Sequence, residues 1–149
     1  PHPLDPLRLT DNRVTDQGDH QLSYALYPHS GDWRTGESLQ RAREFNQAPL
    51  IIRGSADRIS PLVNHSSPNI IVACIKKAED SDDVIIRIHE AYGQSSKVTL
   101  EFGARLESAV ECDMLENDLA PLKPVKSKLA LKFSPFEIKT LKLKFKPKR

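Results

Sequence analysis

Chemistry in a protein chain starts from histidines, cysteines, carboxylates or an activated hydroxyl held at defined spacings. Five histidines (His2, His20, His29, His65 and His89) are scattered along the 149 residues without an HxH or HExxH spacing. The two cysteines, Cys74 and Cys112, lie far apart and form no pair that could complete a metal site. His20 and His29 flank Gln21–Tyr27. The ends of a strand that long stand roughly 25–30 Å apart at about 3.3 Å per residue, too far to share one ion. His89 falls on the strand face opposite Ile86 and Ile88 and reads as a solvent-facing residue. There is no GxSxG elbow, Walker loop or GxGxxG, so serine catalysis and nucleotide binding both lack a scaffold.

Paired carboxylates are the other route, because a glycosidase needs two of them flanking the scissile bond. Asp16/Asp19, Glu79/Asp80, Asp82/Asp83, Glu90 and Glu111/Asp113/Glu116 are available. Most stand in turn-like strings, where Asp hydrogen-bonds its own backbone. Glu79-Asp80 before Ser81 therefore reads as turn chemistry. On residue types alone, no catalytic, cofactor-binding or metal-binding residue is assignable.

The composition is that of a globular protein, with 38% hydrophobic and 28% charged residues. No apolar run approaches the roughly 20 residues that span a membrane. The start, Pro1-His2-Pro3-Leu4-Asp5-Pro6, has no signal-peptide regions, and the only methionine is Met114, so a piece of a longer chain is expected. Cys74 and Cys112 sit among strand-like apolar residues and read as free buried thiols, which favours a reducing, cytoplasmic setting. Charge is uneven: Lys123–Arg149 holds ten Lys/Arg and one acid, Glu137, whereas residues 1–122 hold twelve bases and nineteen acids. In Leu141-Lys142-Leu143-Lys144-Phe145-Lys146 the lysines alternate with apolar residues, the pattern of a strand with one wet face, and lysines also guard sheet edges. Without an exposed aromatic or a nucleic-acid motif, no nucleic-acid partner is expected.

The elements follow from periodicity. Pro1 to about Asp19 reads as a linker and Gln21–Tyr27 as a strand, with Leu22, Tyr24 and Leu26 alternating. Glu37–Phe45 is the one helical window, with Thr35 or Gly36 as its N-cap. Arg53–Pro68 is a polar connection. The continuous apolar run Ile70–Lys76 predicts a central strand, paired with Val84–Ala91 across the Glu79–Asp83 turn. Val98/Leu100/Phe102, Ser108–Leu115, Leu129/Leu131/Phe133 and Ile138–Phe145 predict further strands, with Asn117–Pro124 as a loop. Short strands separated by turns every 8–12 residues indicate an all-β antiparallel sandwich with one short helix. Arg87 and Glu90 fall on opposite strand faces, so a direct pair would need a bulge, and Lys76 or Glu79 are the alternative partners.

Several strings, taken in order, resemble one family. Asp16-Gln17-Gly18-Asp19-His20 through Tyr24-Ala25-Leu26-Tyr27-Pro28-His29-Ser30-Gly31 is similar to the D-x-G-x-H-x-x-x-Y-A-L-x-P-H-x-G segment of family 38 glycoside hydrolases, the retaining α-mannosidases. Asn46-Gln47-Ala48-Pro49-Leu50 resembles the N-x-P-L stretch that follows. Ile75-Lys76-Lys77-Ala78-Glu79-Asp80, Ile86-Arg87-Ile88-His89-Glu90-Ala91-Tyr92-Gly93 and Asp113-Met114-Leu115-Glu116 resemble L-K-x-A-E-D, R-L-Y-E-x-x-G and D-L-L-E. Pro135-Phe136-Glu137-Ile138-Lys139-Thr140-Leu141 is similar to the P-F-E-I-K-T-L close. The set most resembles the branch with bacterial and cytosolic enzymes. Departures are the Arg8–Val14 stretch, which lacks L-R-S-P, and His89 where Tyr is usual.

The resemblance implies a parent that uses Zn²⁺ and an aspartate nucleophile in an N-terminal β/α barrel to hydrolyse α-linked mannose from oligosaccharides. It implies that this chain is the non-catalytic C-terminal β part: residues 1–53 the end of a central β-sandwich region, a strand plus a helix, and residues 54–149 the C-terminal β-sandwich. The barrel of the same chain is then its partner, no cofactor is held here, and no catalytic or metal position transfers onto a residue of this sequence. A freestanding carbohydrate-binding module is the rival, with Trp33 its only aromatic platform.

Overall fold

A computed structural model describes residues 18–47, 49, 51, 53–54 and 61–147. The chain divides into two compact units, Pro1–Pro49 and Leu50–Arg149. In the first, a tight turn winds directly into a helix. The Asp32 carboxylate accepts the amides of Arg34 (3.0 Å) and Thr35 (2.9 Å), and the Thr35 hydroxyl is occupied by the Asp32 carbonyl at 3.1 Å. Thr35 is therefore not the cap expected from sequence. Glu37 takes that position in a left-handed conformation (φ 54°) without a capping side chain, and α1 runs Ser38–Asn46. Gly36 is required by close approach, since a Cβ there would stand 2.2 Å from His29 Nδ1.

Gln21–Tyr27, expected as a strand, pairs with no sheet among the described residues. Its alternating side chains Leu22, Tyr24 and Leu26 are 87, 89 and 91% exposed. A strand is stabilised by a ladder and a buried face. The described residues supply neither.

The second unit is the expected sandwich. Its strands are β1 (Val63–Asn64), β2 (Ile70–Lys77), β3 (Val84–Glu90), β4 (Ser96–Phe102), β5 (Leu106–Cys112), β6 (Asp118–Leu122), β7 (Lys128–Phe133) and β8 (Ile138–Phe145). They form a three-stranded sheet, β1-β4-β7, and a five-stranded sheet, β2-β3-β8-β5-β6, with all pairs antiparallel. Val98, Leu100, Phe102, Leu129, Leu131 and Phe133 from the smaller sheet meet Ile86, Ile88, Leu141 and Leu143 from the larger in one core. Each such side chain contributes about 1.5–3 kcal/mol by leaving water. Leu106 and Ala109, three apart, both reach this core because the β5–β8 register shifts between Leu106 and Ser108.

Three expectations are corrected. Ile70–Lys76 lies in β2, an edge strand and not a central one. Its apolar run is only partly covered: Ile70 joins the main core and Val72 packs against it, Ala73 and Ile75 stay exposed, and Ala78, Ile85 and Cys112 form a second cluster beside it. The expected loop Asn117–Pro124 contains β6, an edge strand that tolerates Pro121 because a missing amide there breaks no central ladder. The lysine-rich β8 is not an edge but the middle of its sheet, between β3 and β5.

Candidate functional site

The most elaborate polar constellation is built on Glu90, at the end of β3 and only 1% exposed. One carboxylate oxygen accepts the Asn69 side-chain amide (2.9 Å) and the Tyr92 amide (2.9 Å). The other accepts the amides of Gly93 (2.8 Å), Gln94 (3.1 Å) and Phe136 (2.9 Å). Burial pushes this carboxyl up, but the Phe136 amide, the Asn69 side chain and the Tyr92 and Gln94 amides outweigh it and hold the group at about 2. Glu90 thus stays ionised with no cation beside it among the described residues, and ties the β3–β4 turn to the β7–β8 turn. With both oxygens occupied, it is a structural clasp and not an acid or base awaiting substrate.

The turns it joins are shaped to fit. Gly93 has φ 72°, and a Cβ on it would stand 2.7 Å from Phe136 Cζ. Phe136 adopts φ 58°, costly for a bulky residue, and remains 65% exposed.

The other carboxylates are distributed, not paired. Asp16 lies outside the described residues, and Asp19 is exposed. Asp82 pairs with Lys77 at 2.6 Å and Asp83 accepts from the Ser81 hydroxyl at 3.0 Å, the turn chemistry expected for this stretch. Lys76 takes both Glu79 and Glu116, the latter at 2.8 Å, and is pushed up to about 12 by Glu116 first and Glu79 second. Arg87 reaches the Thr140 hydroxyl and the Met114 carbonyl, each at 3.3 Å, so it does not pair with Glu90. Asp113 caps its own loop, accepting the Leu115 (2.8 Å) and Asn117 (2.9 Å) amides. Glu111 and Glu137 flank Lys139 at 2.8 and 2.9 Å.

The histidines also stay apart. His2 lies outside the described residues, His29 Nε2 stands 2.9 Å from the Ser38 hydroxyl, and His89 is half-buried on β3 rather than open to solvent. No group of three His, Cys, Asp or Glu converges as a metal site among the described residues. Cys74 and Cys112 are free thiols in one register row, Cys74–Arg87–Thr140–Cys112, with two strands between them. Trp33 is a poor sugar platform, because the Arg34 guanidinium lies over its ring at 4.5 Å. The basic tail is neutralised only in part: Lys142 contacts Asp118 at 2.7 Å, Lys144 contacts Glu107 at 3.3 Å and Lys139 has two acids.

A family model described as the glycosyl hydrolases family 38 C-terminal beta sandwich domain matches residues 69–141, from Asn69 of the clasp to Leu141 of the core. Residues 69–141 are thus a glycosyl hydrolase family 38 C-terminal region. Alpha-mannosidase 2C1 of Homo sapiens is 30% identical over 144 residues, covering 90% of this chain and 14% of that protein. Alpha-mannosidase G of Dictyostelium discoideum is 29% identical over 138 residues, 85% of this chain and 12% of the relative. Alpha-mannosidase of Saccharomyces cerevisiae is 26% identical over 162 residues, 87% of this chain and 14% of the relative. The chain thus spans only 12–14% of these relatives' lengths.

Within the family 38 domain, the Glu90 clasp is the feature that sequence reasoning missed. It treated Glu90 as one carboxylate among many. The available signal was Gly93, three residues on, where a left-handed turn lets successive amides converge on one carboxylate.

Proposed function

We propose that this chain is the non-catalytic C-terminal β region of an α-mannosidase whose parent hydrolyses α-linked mannose from oligosaccharides by a zinc-dependent, retaining mechanism. The observation that carries this reading is the family 38 match over residues 69–141 together with relatives named alpha-mannosidases aligned along 85–90% of this chain. A retaining glycosidase needs two carboxyls about 5–5.5 Å apart across the substrate. The carboxylates described above support a structural role instead, since each cluster is engaged by amides or lysines. The donor set does not fit zinc, so no step through the metal is assigned to these residues. Zinc and nucleophile are assigned to the barrel of the parent.

Residues 1–53 are then the end of the preceding β region. The exposed alternation of Gln21–Tyr27 supports this, because it has the form of a strand whose sheet lies elsewhere in the parent. A cytoplasmic location is supported by the two unpaired thiols. The test compares the 149-residue chain with the full-length parent on an aryl α-mannoside. The parent should turn over and lose activity to a chelator, and the chain alone should match the buffer blank with or without added Zn²⁺. Chelator-sensitive turnover by the chain alone would refute the reading.

A further inference from the structure

The outer face of the three-stranded sheet carries an electrostatic conflict. Lys97 of β4 and Lys132 of β7 stand directly opposite each other in the ladder. Opposed residues hold their Cβ atoms roughly 5 Å apart, and like charges in that position destabilise a sheet. Lys76, Lys77, Lys128, Lys139, Lys142 and Lys144 each have a carboxylate partner. Lys97 and Lys132, like Lys123, Lys126 and Lys146, have none among the described residues, and of these only Lys97 and Lys132 face each other across a ladder. Four positions along the same pair of strands, Glu101 opposes and bonds Lys128, the arrangement the first pair lacks.

Both lysines line concave surfaces. A trough of about 690 Å³ is lined by Ser95, Lys97, Lys132 and Glu137 among others. A second, of about 440 Å³, runs from Lys97 to Asn64–Ser67. A third, of about 320 Å³, again has Lys97 and Lys132 in its wall. The one acid at the Lys132 end, Glu137, is already engaged by the Ser134 amide (2.7 Å) and Lys139 (2.9 Å). In the wall of the second trough, His65 has a buried Nδ1 with no hydrogen-bond partner among the described residues.

We propose that Lys97 and Lys132 form a binding site for the phosphate group of a phosphorylated sugar. Two ammoniums without a counter-charge match a dianion, whereas a single carboxylate would leave one of them unmatched. Asn64, Ser66 and Thr99 along the adjoining trough offer neutral donors and acceptors to sugar hydroxyls. Nothing in this site depends on the mannosidase reading.

The test is an amide chemical-shift titration of the ¹⁵N-labelled chain with inorganic phosphate, mannose 6-phosphate and mannose, at constant ionic strength. Amides of Ser95–Thr99 and Ala130–Phe133 should move with both phosphates and not with mannose, and residues 64–67 should move with the sugar phosphate alone. K97Q and K132Q should each weaken binding roughly tenfold, since each removes one charge-assisted contact, while K123Q should bind like the parent. Tighter binding of the sugar phosphate than of phosphate identifies the sugar-borne source. Equal binding of the two would overturn the sugar part of the assignment. No shift at these residues, or equal loss in K123Q, would overturn the site.

Discussion

The Phe136 amide donates to the Glu90 carboxylate at 2.9 Å, joining positions 46 residues apart through a charge that no cation balances among the described residues. Removing that charge leaves several amides facing a poor acceptor. Glu90→Gln should cost about 2–4 kcal/mol at neutral pH. Because the folded carboxyl titrates near 2 against an ordinary 4.5, its contribution is fully present above about pH 4.5 and is lost as pH falls toward 2. Urea melts at several pH values should therefore show the gap between parent and variant narrowing over that window. A gap that does not change with pH would remove the ionised clasp from the account.

Gly93 and Phe136 can be tested as a pair. Gly93→Ala places a methyl 2.7 Å from the Phe136 ring at φ 72°, and should cost about 2–4 kcal/mol. Phe136→Ala should recover the steric part but not the roughly 1 kcal/mol of backbone strain. A double-mutant cycle measures the split, and strict additivity would mean the ring does not set the glycine requirement.

In β8, apolar and basic positions should respond oppositely. Phe145 is half-buried and meets Phe102 edge-to-face at 5.8 Å, and Leu143 is fully buried. Leu143→Ala should cost about 2–5 kcal/mol and Phe145→Ala about 2–3. Lys144→Ala, which removes only an exposed 3.3 Å pair with Glu107, should cost under about 0.5 kcal/mol. Thermal melts rank the three. A Lys144 variant as damaged as the Leu143 variant would overturn this assignment of wet and dry faces.

Gln21–Tyr27 gives a fourth test. Should a sheet elsewhere in the parent accept it as a strand, its amides should exchange more than about tenfold more slowly in the parent than in this chain. Hydrogen exchange with mass spectrometry reads both. Equal exchange would argue that the segment is a loop in either setting.

The sandwich was legible where one face of a strand is dry. Val98/Leu100/Phe102 and Leu129/Leu131/Phe133 alternate because a single core lies on one side of each. β6 was not legible, since all but one of its five residues are exposed and the pairing with β5 alone defines it. The position of β2 was hidden because its apolar run includes Ala73 and Ile75, which stay exposed, so an edge strand carries the composition of a central one. The clasp was hidden for another reason: its donors come from positions 69, 92, 93, 94 and 136, and no local spacing unites them.

The middle position of β8 also has a consequence for biosynthesis. The hairpins β2–β3 and β5–β6 emerge from the ribosome well before residue 138, yet neither borders the other in the finished sheet. Each must wait with an open flank until the last strand slides between them. Closure is therefore a late event dominated by distant pairings, which is slow and exposes sticky edges meanwhile. Truncation before Ile138 would not trim the domain but leave two unjoined hairpins, a species for chaperones and proteases.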